Sequence, residues 1–449
     1  MESVDSIQTV DHQLSINPQP LNITSIDDDV KILIFEFLAW PDLLSVAETS
    51  KTLHTAACDV YKRKYGKGRL QLTYFDGSYS LGSAPDILVW NHVKALKILR
   101  NFGHVVSDIL LHIESTNNHC FHPTLLIHIE SYVAKYCSKS LRRFRFVKFP
   151  RFLFKENQNS FINVERIDFS YCLPLCNIPF STIFPNLKYI QCFFLPLRLH
   201  GSIPVSIPSV KKLSIYAILG GPDRDLNLEK NCIDDLLKLN PQIEDLELAL
   251  YNEFKEVNFQ NFRENLPMLK RFILQMYFND IDQCYHFDSV VDFEMRSMSY
   301  IETGPTNIPF TFSKLEHFKY DCCFDKTIAS CIFDFLTKNK HLKSITLDGV
   351  RDENNTAIKK LFQLESVLTN IEELSIRIVG EKMTSDLLSE HILNLFSKSQ
   401  SLKKLNLTCY RTILDNLNDS VKLKIVKQKG RYFNDELTIT LHPQRCNSI

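Results

Sequence analysis

"NVERIDF" at Asn163–Phe169 decides how this chain is read, because its form returns along much of the sequence. An apolar residue is followed by two polar ones, then by apolar residues at the fourth and sixth positions. "SLRRFRF" at Ser140–Phe146 precedes it, and "NLKYIQC" at Asn186–Cys192 and "SVKKLSI" at Ser209–Ile215 come after it. Later copies are "QIEDLEL" at Gln242–Leu248, "MLKRFIL" at Met268–Leu274, "KLEHFKY" at Lys314–Tyr320, "HLKSITL" at His341–Leu347, "NIEELSI" at Asn370–Ile376 and "SLKKLNL" at Ser401–Leu407. The paired second and third positions are nearly always polar, as in Arg142-Arg143, Glu165-Arg166, Lys211-Lys212, Glu244-Asp245 and Lys403-Lys404. A Pro, Asn or Ser often stands one or two places ahead. The leading residues Leu141, Val164, Leu187 and Val210 are each 23 apart. Later leaders are spaced more loosely, and "SVVDFEM" at Ser289–Met295 fits the form less well.

A short alternating segment of this kind reads as a half-buried strand. One such unit cannot bury its apolar residues alone, whereas stacked units share a core. The phrase and its period resemble the leucine-rich repeat. That resemblance implies an α/β solenoid over residues 66–441, with a curved parallel sheet on its concave side and helices on its convex side. It also implies Asn or Cys three places after the last apolar strand position. Cys172 and Cys323 match, while Tyr251, Tyr277, Val350 and Tyr410 depart, so an irregular array is expected. Helical periodicity fills the gaps, in "PTLLIHIESYVAKYCSKS" from Pro123, "KTIASCIFDFLTKNK" from Lys326, "NTAIKKLFQLESVL" from Asn355 and "TSDLLSEHILNLFSKS" from Thr384. The stretch "LLHIE" from Leu110, after the helical "VWNHVKALKILRNFG", reads as an earlier unit.

The segment 23–65 does not share the phrase. Thr24 and Ser25 are good helix-capping types, and Asp28 three residues after Ser25 completes a capping-box spacing. Val30, Ile34, Phe37 and Leu38 form a helical stripe. Trp40-Pro41 breaks it, since Pro restricts the residue before it, and Asp42-Leu43-Leu44 restarts it. This order resembles the F-box, a three-helix module that docks on the Skp adaptor of cullin-RING ubiquitin ligases. The matching positions are Ile26, Asp29, Val30, Ile34, Phe35, Leu38, Pro41, Asp42, Leu43, Leu44 and Lys51. Asp27, Ser50 and Leu53 stand where the family prefers Pro, Cys and Trp. The resemblance assigns adaptor contact to Ile26, Val30, Ile34, Phe35, Leu38, Pro41, Leu43 and Leu44. The other reading of this segment is a helical cover for the first repeat, which terminal repeats need.

Composition narrows the function classes. The 52 basic and 52 acidic residues balance, so no global field points to nucleic acid. The longest apolar run, "ILIFEFLAW", is far short of a membrane span and carries Glu36. The polar first residues hold no apolar core, so the 13 cysteines are expected as reduced thiols in the cytoplasm or nucleus. No C-x-x-C pair, glycine-rich phosphate loop or hydrolase elbow occurs, so no metal, cofactor or catalytic residue is assigned. The basic "YKRKYGKGR" at Tyr61–Arg69 reads either as a nuclear-import patch or as a solvated helix end. Residues 1–22 are expected to be disordered, and the tail 442–449 loose.

Together these features predict a non-catalytic substrate receptor. The F-box would bind Skp and, through it, cullin-RING subunits, and the concave repeat face would bind an unidentified target protein. Arg142, Arg143, Arg145, Arg166, Lys188, Lys211 and Lys212 fall at matching positions of the early units and are the candidate target contacts, suited to an acidic or phosphorylated segment. The competing reading is a solvated face balanced by Glu165 and Asp168. A binding scaffold outside ubiquitylation, or an enzyme, are the alternatives for the whole chain.

Overall fold

The structure is a computed structural model. It describes residues 23–74, 87–89, 92–113, 123–147, 160–170, 180–193, 206–218, 233–251, 259–276, 284–297, 308–321, 330–350, 360–361, 363–378, 388, 390, 392, 395, 399, 401–410, 424–429 and 436–442. The expectations for Cys172, Cys323, residues 1–22 and residues 443–449 lie outside this set.

Three helices open the chain: α1 (Asp28–Phe35), α2 (Trp40–Ala47) and α3 (Lys51–Tyr65). The cap of α1 is Asp27, whose carboxylate accepts from the Asp29 amide at 2.9 Å. The expected cap, Ser25, instead ends a short 3₁₀ turn. Asp28 and Asp29 sit in the first turn, where the helix dipole favours negative charge. Pro41 lies in the first turn of α2, where its missing N–H costs no intrahelical bond. Ser50 caps α3 by accepting from the Leu53 amide at 3.2 Å. Lys64, inside the basic stretch, donates to the carbonyls of Glu36 and Leu38, both at 2.8 Å. It thereby satisfies carbonyls left open at the end of α1.

This helical unit is joined to the next helix, α4 (His92–Phe102). Tyr61 of α3 stacks on Phe102 of α4, with centroids 4.3 Å apart. The Cys58 thiol donates to the Asn101 carbonyl at 3.5 Å, and burial pushes its pKa up to about 11. Lys97 pairs with Glu48 at 2.8 Å. The unit thus covers the first end of the array while sharing its core.

Among the described residues, the body is a mixed α/β fold around a sixteen-stranded sheet. Its strands are β1 (Leu70–Tyr74), β2 (Ile87–Val89), β3 (Asp108–Ile113), β4 (Arg143–Val147), β5 (Arg166–Ser170), β6 (Tyr189–Phe193), β7 (Lys212–Ile218), β8 (Asp245–Tyr251) and β9 (Arg271–Met276). After a short β10 (Tyr285–Phe287) come β11 (Asp292–Ser297), another short strand β12 (Phe310–Phe312), β13 (His317–Asp321), β14 (Ser344–Val350), β15 (Glu373–Ile378) and β16 (Lys404–Tyr410). The last two are β17 (Lys424–Lys429) and β18 (Glu436–His442). From β2 to β16 the neighbours pair in parallel, and only β18 and β17 close the far end antiparallel. β10 and β12 form a separate parallel pair. The sequence phrases become strands as expected; β1, β2 and the antiparallel end are additions. The helical stretches appear as α5 (Pro123–Cys137), Ser330–Lys338 and Glu365–Leu368.

Register explains the phrase. Phe144 pairs with Ile167, Ile167 with Ile190, Ile190 with Leu213, and Leu213 with Leu246, all buried. A second buried row runs Phe146, Phe169, Cys192, Ile215 and Leu248. Alternation in a strand sends the residues between them to the opposite face. The Asn ahead of the phrase also has a task. Asn163, Asn186 and Asn370 donate their side-chain amides to the carbonyls of Lys139, Ile162 and Lys340 in the preceding unit, at 2.6, 2.8 and 2.9 Å. Rings fill the wide units: Phe259, Phe272, Phe293, Phe310, Phe318 and Phe335 form a continuous run of aromatic contacts. One irregularity falls between Leu347 and Val350, where the register with β15 shifts and Gly349 takes φ 83°, a conformation that glycine adopts without steric cost. Among the described residues, no helix is long and apolar enough to cross a membrane.

The fold makes a testable demand on single positions. Leu246 and Leu374 are fully buried in the middle and later parts of the stack. Leu246→Ala or Leu374→Ala is expected to cost about 2–5 kcal/mol in urea unfolding. A change of the same size at the exposed Lys403 is expected to cost little.

Candidate protein-interaction surfaces

Helix α1 is apolar on two faces. Ile32 and Phe35 turn inward and join Leu43, Leu44, Ala47 and Leu53. Val30, Leu33 and Ile34 turn outward with exposures of 44%, 59% and 42%, and Phe37, just past the helix, is 92% exposed. A cluster of large apolar side chains held open on a helix face marks a docking surface. The structure therefore splits the expected adaptor set. Val30, Ile34 and Pro41 are exposed, and Ile26 and Leu38 are half-buried. Phe35, Leu43 and Leu44, also expected as adaptor contacts, are buried and hold the three helices together. They face inward because α1 and α2 are each two turns long and must give one stripe to α3. Phe37 belongs to the sequence stripe but not to the expected contact set, and Leu33 to neither. Both lie three or four residues from Val30 or Ile34, so helical spacing alone would have found them.

The sheet's open face carries the paired polar positions. The expected basic patch does not form along its whole length, because acidic residues occupy the adjoining register positions. At the strand entrances Lys188 pairs with Glu165 at 2.9 Å, and Lys211 and Lys270 share Glu244, each at 2.7 Å. Lys343 pairs with Glu316 at 2.9 Å and Lys403 with Glu372 at 2.6 Å. One place further in, Lys212 meets Asp245 at 2.8 Å and Lys404 meets Glu373 at 2.6 Å. Lys188, Lys211 and Lys212, expected as target contacts, are thus each paired with a carboxylate of a neighbouring unit.

Deeper in the face, three carboxylates are nearly buried. Asp168 accepts from Arg143 and Arg166, with Arg145 Nε at 3.6 Å. Glu247 accepts from Ser214 at 2.9 Å, Tyr216 at 2.6 Å and Arg296 at 2.8 Å. Glu294 accepts from Arg296 and Lys319, both at 2.9 Å. The Arg296 and Lys319 hydrogen bonds outweigh burial and hold the Glu294 carboxyl below the usual range. Tyr189 bridges the groups: its hydroxyl meets Ser214 at 3.1 Å, and Arg166 lies over its ring at 4.3 Å. A buried charge is tolerated only with such partners.

No family model and no curated protein matches the sequence. The arrangement of the two surfaces therefore carries the functional reading.

Glu244 offers a check by pH. Two lysine hydrogen bonds lower its carboxyl from 4.5 to about 2. A depressed carboxyl stabilises the fold above its unfolded pKa and loses that contribution as pH falls through the folded one. The loss attributable to Glu244 should fall between pH 4.5 and 2. Glu244→Gln is expected to flatten the acid limb of the stability profile in that window, and molar salt to shrink the difference, because the pair is exposed.

Proposed function

We propose that the chain is a substrate-recognition subunit of a cullin-RING ubiquitin ligase of the Skp–cullin–F-box type, with an F-box over residues 23–65 and leucine-rich repeats behind it. The observation that carries this reading is the outward apolar face of α1, built from Val30, Leu33, Ile34 and Phe37. It lies on the segment whose sequence resembles the F-box, and it points away from the core that the same helix helps to form. On this reading Skp covers that face, and cullin-RING subunits are recruited through Skp. The protein does no chemistry. It holds a target on the open face of the sheet near a ubiquitin-charged enzyme, so it acts through effective concentration and orientation.

Covering the first end of the array and docking on Skp are compatible tasks, because different faces serve them. α3 packs on α4 through Tyr61, whereas α1 keeps its second face open. A scaffold without a role in ubiquitylation would need only the first task.

Ile34→Asp with Phe37→Asp is expected to abolish co-purification of Skp and cullin from cell extract. Both side chains are exposed, so far-UV circular dichroism and the urea midpoint should stay close to those of the unaltered chain. Undiminished recovery of Skp with the double variant would refute the F-box assignment. Failure of the unaltered chain to recover Skp at all would favour the scaffold.

A further inference from the structure

Among the described residues, the charge ladder of the open face is left unbalanced near its beginning. Arg142, Arg143, Arg145 and Arg166 lie on or beside β4 and β5, and Arg143 stands opposite Arg166 in register. Asp108 and Asp168 are set among Arg143, Arg145 and Arg166, while Arg142 faces Glu165, whose hydrogen bond goes to Lys188. Three guanidinium groups thus share two carboxylates, with the charges of Arg142 and Arg69 close by. Arg145 is half-buried, and burial together with the neighbouring charges of Arg143 and Arg69 outweighs Asp108 and lowers its pKa. Such a surplus in a half-desolvated place is costly until an anion joins it.

The donors for that anion are already in position. Arg143 spends Nε and Nη2 on Asp168, and Arg166 spends Nε on Asp168 and Nη2 on Gln191. Arg145 spends Nη2 on Asp108. Their Nη1 groups make no hydrogen bond among the described residues, and the side chains of Arg143 and Arg166 keep 28% and 31% of their surface exposed. Arg166 lies over the Tyr189 ring, 4.3 Å from its centroid. Arg142 is exposed beside them. Asp168 displays the chemistry the cluster accepts, a carboxylate received by planar, forked donors.

We infer that this cluster is the target-binding site and that it takes a carboxylate-rich segment of the partner, with Arg143 and Arg166 receiving its acidic side chains and Arg142 extending the site outward. This narrows the open-face target surface of the proposed function to four residues and rests on that reading. Lys188, Lys211 and Lys212 are outside it: they pair with Glu165, Glu244 and Asp245 through single ammonium contacts and offer no planar fork.

The test is fluorescence anisotropy with the full chain alone, without Skp, so that its outcome is independent of adaptor docking. The probe is a dye-labelled peptide of alternating Glu and Ser; its Gln-for-Glu and phosphoserine-for-Glu counterparts are the controls. The Glu peptide is expected to bind at low salt and to weaken steeply with added salt. Arg143→Gln with Arg166→Gln should weaken it about tenfold or more, the scale of a lost charge-assisted pair. Arg142→Gln, at an exposed side chain that carries no part of the fold, should weaken it by a few fold. Lys188→Gln with Lys211→Gln should leave it unchanged. Absence of binding by the intact chain, equal losses in the lysine variant, or indifference to Arg142→Gln would overturn the proposal. Binding of the phosphoserine peptide but not the Glu peptide would overturn the choice of a carboxylate ligand.

Discussion

Constant register between neighbouring strands is the constraint on which the rest depends. A five-residue strand such as Arg166–Ser170 can bury only two or three side chains, too few to hold an isolated unit together. The strand is stable because Ile167 lands between Phe144 and Ile190, and Phe169 between Phe146 and Cys192. A slip of one residue would turn both to the open face and send Arg166 and Asp168 into the core. The side-chain amides of Asn163 and Asn186 guard against such a slip, because each ties the start of its phrase to a carbonyl of the unit before.

The same constraint governs electrostatics. Stacking like positions at ~4.8 Å brings polar side chains as close as apolar ones. Rows of one sign would repel, and opposite charges are interspersed along the row: Glu165 with Lys188, Lys211 with Glu244, Glu316 with Lys343, Glu372 with Lys403. Exposed pairs of this kind contribute little individually. Their value lies in letting the strands approach. The inner carboxylates Asp168, Glu247 and Glu294 act differently. Each is nearly buried and held by several donors, which fixes its place in the middle of the face. Side chains already held in place lose little conformational entropy on binding.

Much of this was legible in the sequence. The phrase marked the strands and their inward residues, because spacing and polarity suffice to define a half-buried strand, while their parallel order was implied by the resemblance to the leucine-rich repeat. Partnering was not legible. Lys211 and Glu244 are 33 residues apart, and only stacking makes them neighbours. The basic run from Arg142 to Lys212 therefore looked continuous while its counterions lay in the next units. On α1 the stripe was visible, but which half of it faced α3 depended on tertiary packing, and so Phe35, Leu43 and Leu44 read as surface. The strands at the two ends lack the phrase altogether. β17 and β18 pair antiparallel, a geometry that the repeat does not encode.

The two surfaces lie at the same end of the molecule, and this has a physical consequence. The helical unit packs on α4, α4 leads into β3, and the arginine cluster occupies the next two strands. A partner on α1 and a peptide on Arg143 and Arg166 would be separated by a few strand spacings of about 4.8 Å plus the thickness of the helical unit. The two are linked through Tyr61 on Phe102, Ser107 bonded to the Gly66 carbonyl at 2.7 Å, and the shared core. Two ligands held by one stiff body keep a fixed mutual orientation, whereas a flexible tether would spread them over many. On the proposed function, in which one partner is presented to another, such packing would explain why the helical unit shares the array's core rather than being tethered to it.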